Sequence, residues 1–234
     1  RMRLKYRERY DAVSMVFYII LVYVWSLTIP PLGADYAVLA EPRANLPWIT
    51  AKVFTFETSL FGAWAPGYHL VNMGLLYLCM LCVHGLVSIT VGGPFWLGTL
   101  AAVLFMANPA TGETVLSIAG MADLLPCLMA LVGLLAFAGH ARKPKAWKPA
   151  VSLVLSAVVS LSFPSHAGLG LILAVLAYNA WRRQRIHVSY VAAFAAMAAI
   201  SFFVHAHSIA ATGLELAQRF ASLYFLFYPI GFLP

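Results

Sequence analysis

Charge is what this chain has least of. Only 10% of its residues are Asp, Glu, Lys or Arg, 62% are hydrophobic, and the mean hydropathy is +0.85. A soluble domain of this length could not hide so much apolar surface, which excludes a water-soluble globular enzyme. Cysteine is scarce as well. Cys79, Cys82 and Cys127 all lie inside apolar runs, so a disulfide-stapled secreted scaffold is excluded. Cys79 and Cys82 have C-x-x-C spacing, but on a buried helix that spacing places two small polarizable side chains one turn apart, and they read as packing residues. Fixed-period repeats and low-complexity tracts are missing. So is a small-residue cleavage site after the first apolar run, where Pro30 and Pro31 stand instead.

The basic residues that are present are clustered. All of the fifteen Lys and Arg except Arg43, Lys52 and Arg219 fall within residues 1–9, 142–148 and 182–185, with long apolar stretches between. Lys and Arg are retained on the cytoplasmic side of a bilayer, so these clusters are expected inside and the N-terminus is expected to be cytoplasmic. Asp35, Glu41, Glu57, Glu113, Asp123 and Glu215 then fall at or near the outer face, where any chemistry belongs. Basic clusters split among loops suit membrane lipid head groups and argue against nucleic acid, which needs one continuous basic stripe. The expected location is a plasma membrane, the inner membrane of a bacterium.

A helix crosses the hydrocarbon core in about twenty residues, and the apolar runs predict an all-α polytopic membrane protein of about eight transmembrane helices. Residues 13–29 run outward. Residues 30–66 form a first outer loop, within which 52–61 predicts a short interfacial helix. Residues 67–91, 95–107 and 121–139 continue the alternation, with a compact outer connection at 108–120. Residues 150–181 are too many for one crossing. A break at Pro164-Ser165-His166 makes them two and keeps Arg182, Arg183 and Arg185 inside. Residues 188–204 lead out, and 220–233 begin an eighth span. One domain is expected over 1–234, with both ends expected to be incomplete.

Three passages carry a resemblance. They are Gly67-Tyr68-His69-Leu70-Val71-Asn72, entering the second span; Asn108-Pro109 with Glu113 and Val115, followed by Gly120-Met121-Ala122-Asp123-Leu124-Leu125; and residues 224–233. Together they resemble the membrane portion of the transmembrane and tetratricopeptide-repeat O-mannosyltransferases and their bacterial relatives, which have the GT-C glycosyltransferase fold. The resemblance implies transfer of a sugar from a polyprenyl-phosphate donor to a protein or glycan hydroxyl at the outer face. It also implies a carboxylate after the first span that accepts the acceptor's proton or associates with a divalent metal, while cations steady the departing phosphate. Asp35 fills that position. The chain departs from the pattern where chemistry would reside. Tyr36 replaces a second acid, Asn108 the His of His-Pro, and Met121 the Arg of Gly-Arg. A Lys-Glu pair and the tetratricopeptide repeats are missing.

Each candidate residue carries two readings. Asp35 is the catalytic base or a polar loop cap. Glu113 binds substrate or caps the helix after it. Asp123, near the outer end of its span, must face water or the bundle interior. His69 and Asn72, one turn apart, share a face and reach the outer loop together, as substrate ligands or as helix-to-loop ties. His166 sits at an outer turn. Arg43, Lys52 and Arg219 are the outer cations, able to receive a lipid phosphate or to anchor at the interface. Two functions compete: sugar transferase, or inactive GT-C-like subunit packed against other membrane proteins. A transporter ranks third, because mid-membrane charges are few.

Overall fold

The computed structural model describes residues 2–31, 33–41, 46–91, 94, 96–142, 145, 147–163, 169–182 and 187–204. Its regular structure is entirely helical. The elements are α1 (Met2–Tyr23), a 3₁₀ turn Val24–Thr28, α2 (Gly33–Ala40), α3 (Trp48–Phe61), α4 (Ala65–Thr90), α5 (Trp96–Met106) and α6 (Pro109–Leu116). A 3₁₀ turn Ile118–Gly120 leads into α7 (Met121–Arg142), followed by α8 (Trp147–Ser162), α9 (Leu169–Arg182) and α10 (Val188–Val204).

Among the described residues two stretches are long and apolar enough to cross a bilayer alone: α4, with 26 residues, and the 25 residues Ile118–Arg142. At 1.5 Å per residue each is close to 38 Å long, more than the roughly 30 Å hydrocarbon core. The other apolar helices are shorter. The 11 residues of α5 span only about 16 Å, and Val13–Thr28, Trp147–Ser162 and Val188–Val204 are likewise shorter than a full crossing, so helix length alone does not establish the expected eight crossings. The expected span at 220–233 lies outside the described residues, as do Arg43, His166, His205, His207, Glu215 and Arg219. The basic lead at residues 3–9 is not a separate segment. It continues helically into the apolar run, so α1 begins well before residue 13.

Packing follows antiparallel neighbours. α4 lies against α5 and α7, α7 continues onto α8, and α1 closes against α4 and α5. One core cluster joins Met15 and Ile19 of α1 to Met73, Leu76 and Met80 of α4 and to Ala102 and Met106 of α5. A second joins Phe137 of α7 to Val159 of α8, Leu173 of α9 and Phe194 of α10, where the Phe137 and Phe194 rings meet edge to face at 5.5 Å. Gly170 serves this inner contact, because a Cβ there would stand 3.0 Å from the Ala198 backbone. Large apolar side chains remain on the outside, among them Phe17, Leu104, Val154 and Ile172, with Phe203 80% exposed. Surfaces of this kind belong in hydrocarbon.

The chain alternation gathers the end of α1, the start of α4, the end of α5, all of α2 and α6, and the start of α7 at one end of the bundle. Tyr23 Oη donates to the Met106 carbonyl there at 3.0 Å. At the opposite end, Lys148 Nζ donates to the Gly139 carbonyl at 3.0 Å, joining α8 to α7.

Candidate functional site

The gathered end holds most of the polar side chains singled out in the sequence. α2 was not expected, and it sits inside the outer loop with Asp35 in its first turn. Asp35 is 2% exposed. Its Oδ1 accepts from Ser117 Oγ at 2.7 Å and from the Ala119 backbone N–H at 3.2 Å. Two donors on one oxygen hold the carboxylate against the turn between α6 and α7.

Asn72 and His69 do share a face of α4, and both reach that same turn region. Asn72 Nδ2 donates to the Ser117 carbonyl at 2.7 Å. The two ring nitrogens of His69 lie 3.3 Å from the Val115 and Ile29 carbonyls, bridging α6 to the segment after α1. A neutral imidazole can donate to only one of them. Asp35 and Asn72 therefore meet at Ser117, and His69 ties the same turn region through Val115, pairings which the sequence did not reveal because the partners lie more than forty residues apart.

The glycines of the two motifs explain themselves locally. A Cβ on Gly67 would lie 2.5 Å from the Phe61 ring, so the bare backbone lets that ring close over the start of α4. Gly120 is tighter, since a Cβ there would fall 1.6 Å from the Thr114 carbonyl oxygen and 3.2 Å from Asn72 Nδ2. Tyr68 adds another tie, donating from Oη to the Gly62 carbonyl at 2.8 Å. Gly62 closes α3 with φ of 54°, a left-handed conformation that glycine adopts without cost. Phe54 stacks on Tyr68 at 5.5 Å, and Phe61 meets Tyr68 edge-on at 5.6 Å.

The remaining candidates separate from this cluster. Glu113 lies within α6, exposed, and does not cap a following helix. Asp123 is exposed in the first turn of α7, where the helix dipole favours a carboxylate. Lys52 is exposed on α3, with its Nζ 5.4 Å from the centre of the Trp48 ring. The interfacial helix expected at 52–61 begins a turn earlier, at Trp48. Among the described residues no three His, Cys, Asp or Glu side chains come together to hold a metal ion.

In the sequence, Glu57 reads only as one of the outer acids and takes no role. Glu57 lies on the buried face of α3 with Thr50 and Phe54, is 5% exposed, and stands within electrostatic reach of Tyr68. Burial pushes its carboxyl up from the usual 4.5 to about 7. The pattern 50, 54, 57, 61 places it on the inward face, and that spacing was the available signal. Between 4.5 and about 7 the folded protein holds a proton that the unfolded chain releases, so stability falls as pH rises through this window. Thermal unfolding followed across that range should show Tm falling with pH in the wild type, and Glu57→Gln should flatten the trend.

Comparison with curated proteins finds a relative in Drosophila melanogaster, Protein O-mannosyl-transferase Tmtc2, 30% identical over 127 residues. The match covers 53% of this chain but 13% of that protein's length. No family description and no solved structure matches the chain. The similarity is distant and partial. With the apolar helices, it supports a membrane location for the chain.

Proposed function

We propose that this chain is a GT-C-like membrane subunit whose polar cluster ties one end of the bundle together, and that it serves by packing within a larger membrane assembly rather than by transferring sugar. The observation that carries this reading is the state of Asp35, 2% exposed with its Oδ1 taken by Ser117 and Ala119. A general base must reach the proton it removes, and Asp35 is instead buried against the turn between α6 and α7, which its Oδ1 holds through two hydrogen bonds. Asn108 and Met121 support the same reading. They stand where the resembling family carries His and Arg, and a phosphate leaving group without cations to steady it leaves poorly.

A second reading, transfer of a sugar from a polyprenyl-phosphate donor to a hydroxyl, is favoured by one observation. The relative that the chain matches over 127 residues is named an O-mannosyl-transferase. On that reading Asp35 is the base, His69 and Asn72 line the site, and acceptor binding draws Asp35 away from Ser117.

One assay separates them. The full chain in proteoliposomes is supplied with mannosyl phosphoryl polyprenol and a Ser/Thr peptide, and labelled peptide is counted. The expected result is no transfer above protein-free vesicles, with Asp35→Asn identical to wild type. Transfer by the wild type that Asp35→Asn abolishes would overturn the subunit reading and establish the transferase.

A further inference from the structure

α3 has two faces of opposite character. Thr50, Phe54 and Glu57 point into the protein, while Trp48, Lys52, Phe56 and Leu60 follow one another at every fourth position on the exposed side. Trp48, Phe56 and Leu60 are each about 60% exposed, so an apolar row runs along the helix with a single cation near its N-terminal end. At that end a surface recess of about 430 Å³ is lined by Leu46, Trp48, Ala51, Lys52 and Thr55. Its volume lies within the range of small-ligand sites.

We propose that this recess holds the head group of one anionic phospholipid of the surrounding bilayer, with its phosphodiester on Lys52 and an acyl chain laid along Phe56 and Leu60. Among the described residues Lys52 is the one cation in the lining, and no carboxylate shares it. One positive charge balances the single negative charge of a phosphodiester, whereas a phosphate monoester carries about −1.5 to −2 at neutral pH and would be left half-neutralised. The Trp48 indole beneath the ammonium limits its wandering and is the side chain that settles at head-group depth. Apolar side chains one turn apart beyond the cation match the order of a lipid, polar head first and hydrocarbon after. The recess lining includes neither Asp35 nor its partners, so the proposal stands independently of whether the chain transfers sugar.

The test is lipid retention by the full chain. Protein is reconstituted in nanodiscs of phosphatidylcholine and phosphatidylglycerol in equal parts, released in the gas phase, and its bound lipids are counted by native mass spectrometry. Wild type and Lys52→Arg are expected to keep one phosphatidylglycerol, and Lys52→Gln to show roughly fivefold lower occupancy, as expected for losing one juxtamembrane cation. Equal retention in wild type and Lys52→Gln overturns the proposal. A second arm adds mannosyl phosphoryl polyprenol, a phosphodiester of the same single charge. Failure to displace the phosphatidylglycerol is expected, and displacement at equimolar amounts overturns the assignment in favour of a lipid-linked sugar donor.

Discussion

Gly120→Ala is expected to be the most damaging single substitution at the gathered end of the bundle. The new Cβ would sit 1.6 Å from the Thr114 carbonyl oxygen and 2.7 Å from its carbon, and both are backbone atoms that no rotamer change can remove. The 3₁₀ turn Ile118–Gly120 would have to shift. It carries the Ala119 N–H and adjoins Ser117, so the Asp35 and Asn72 contacts shift with it. Overpacking against fixed backbone should cost on the order of 3 kcal/mol, or roughly 6–12 °C in Tm for a chain of this size. Gly74→Ala is the control, because a Cβ there meets nothing within 4 Å and α4 gains helix propensity. Thermal unfolding in detergent that gives equal Tm for both variants would show that the turn yields more freely than its geometry allows.

The second large effect falls on Asp35. Asp35→Ala leaves Ser117 Oγ and the Ala119 N–H without their acceptor in a buried setting, and each orphaned donor costs about 1–3 kcal/mol. Asp35→Asn retains an oxygen at the Oδ1 position, so it should lose only the charge-assisted part of those bonds, about half. The order wild type, Asn, Ala in Tm is therefore expected. A double-mutant cycle with Ser117→Ala should give a coupling of about 1–2 kcal/mol. A coupling near zero would detach Asp35 from the turn. This stability series does not depend on sugar transfer, and it separates a residue that holds structure from one kept for chemistry alone.

The long apolar runs made the main helices legible. α4 occupies 65–90 where 67–91 was expected, and α7 begins at Met121 as read. The described helices also stop at Ser162 and resume at Leu169, on either side of the expected break. The compact outer connection expected at 108–120 contains the short helix α6, and Pro109 is its first helical residue, where its missing N–H is not needed. α2 escaped because a helix of eight residues, starting at Gly33 and carrying Asp35, is too short for a period to register. Asp35, His69 and Asn72 were found as chemically notable residues, while Ser117 drew no attention. Its importance comes from contacts to residues 45 and 82 positions away, and no periodicity encodes such pairings.

The brevity of α5 bears on the lipid that touches it. It stands beside the 26-residue α4, yet spans only about half of an ordinary hydrocarbon layer, so acyl chains along that flank must splay or compress to meet it. Hydrophobic mismatch of this kind costs fractions of a kcal/mol per ångström, and that cost is one-sided here. A bilayer bordering that flank is expected to thin toward it, and thinner bilayers, or a neighbour covering α5, would relieve the mismatch.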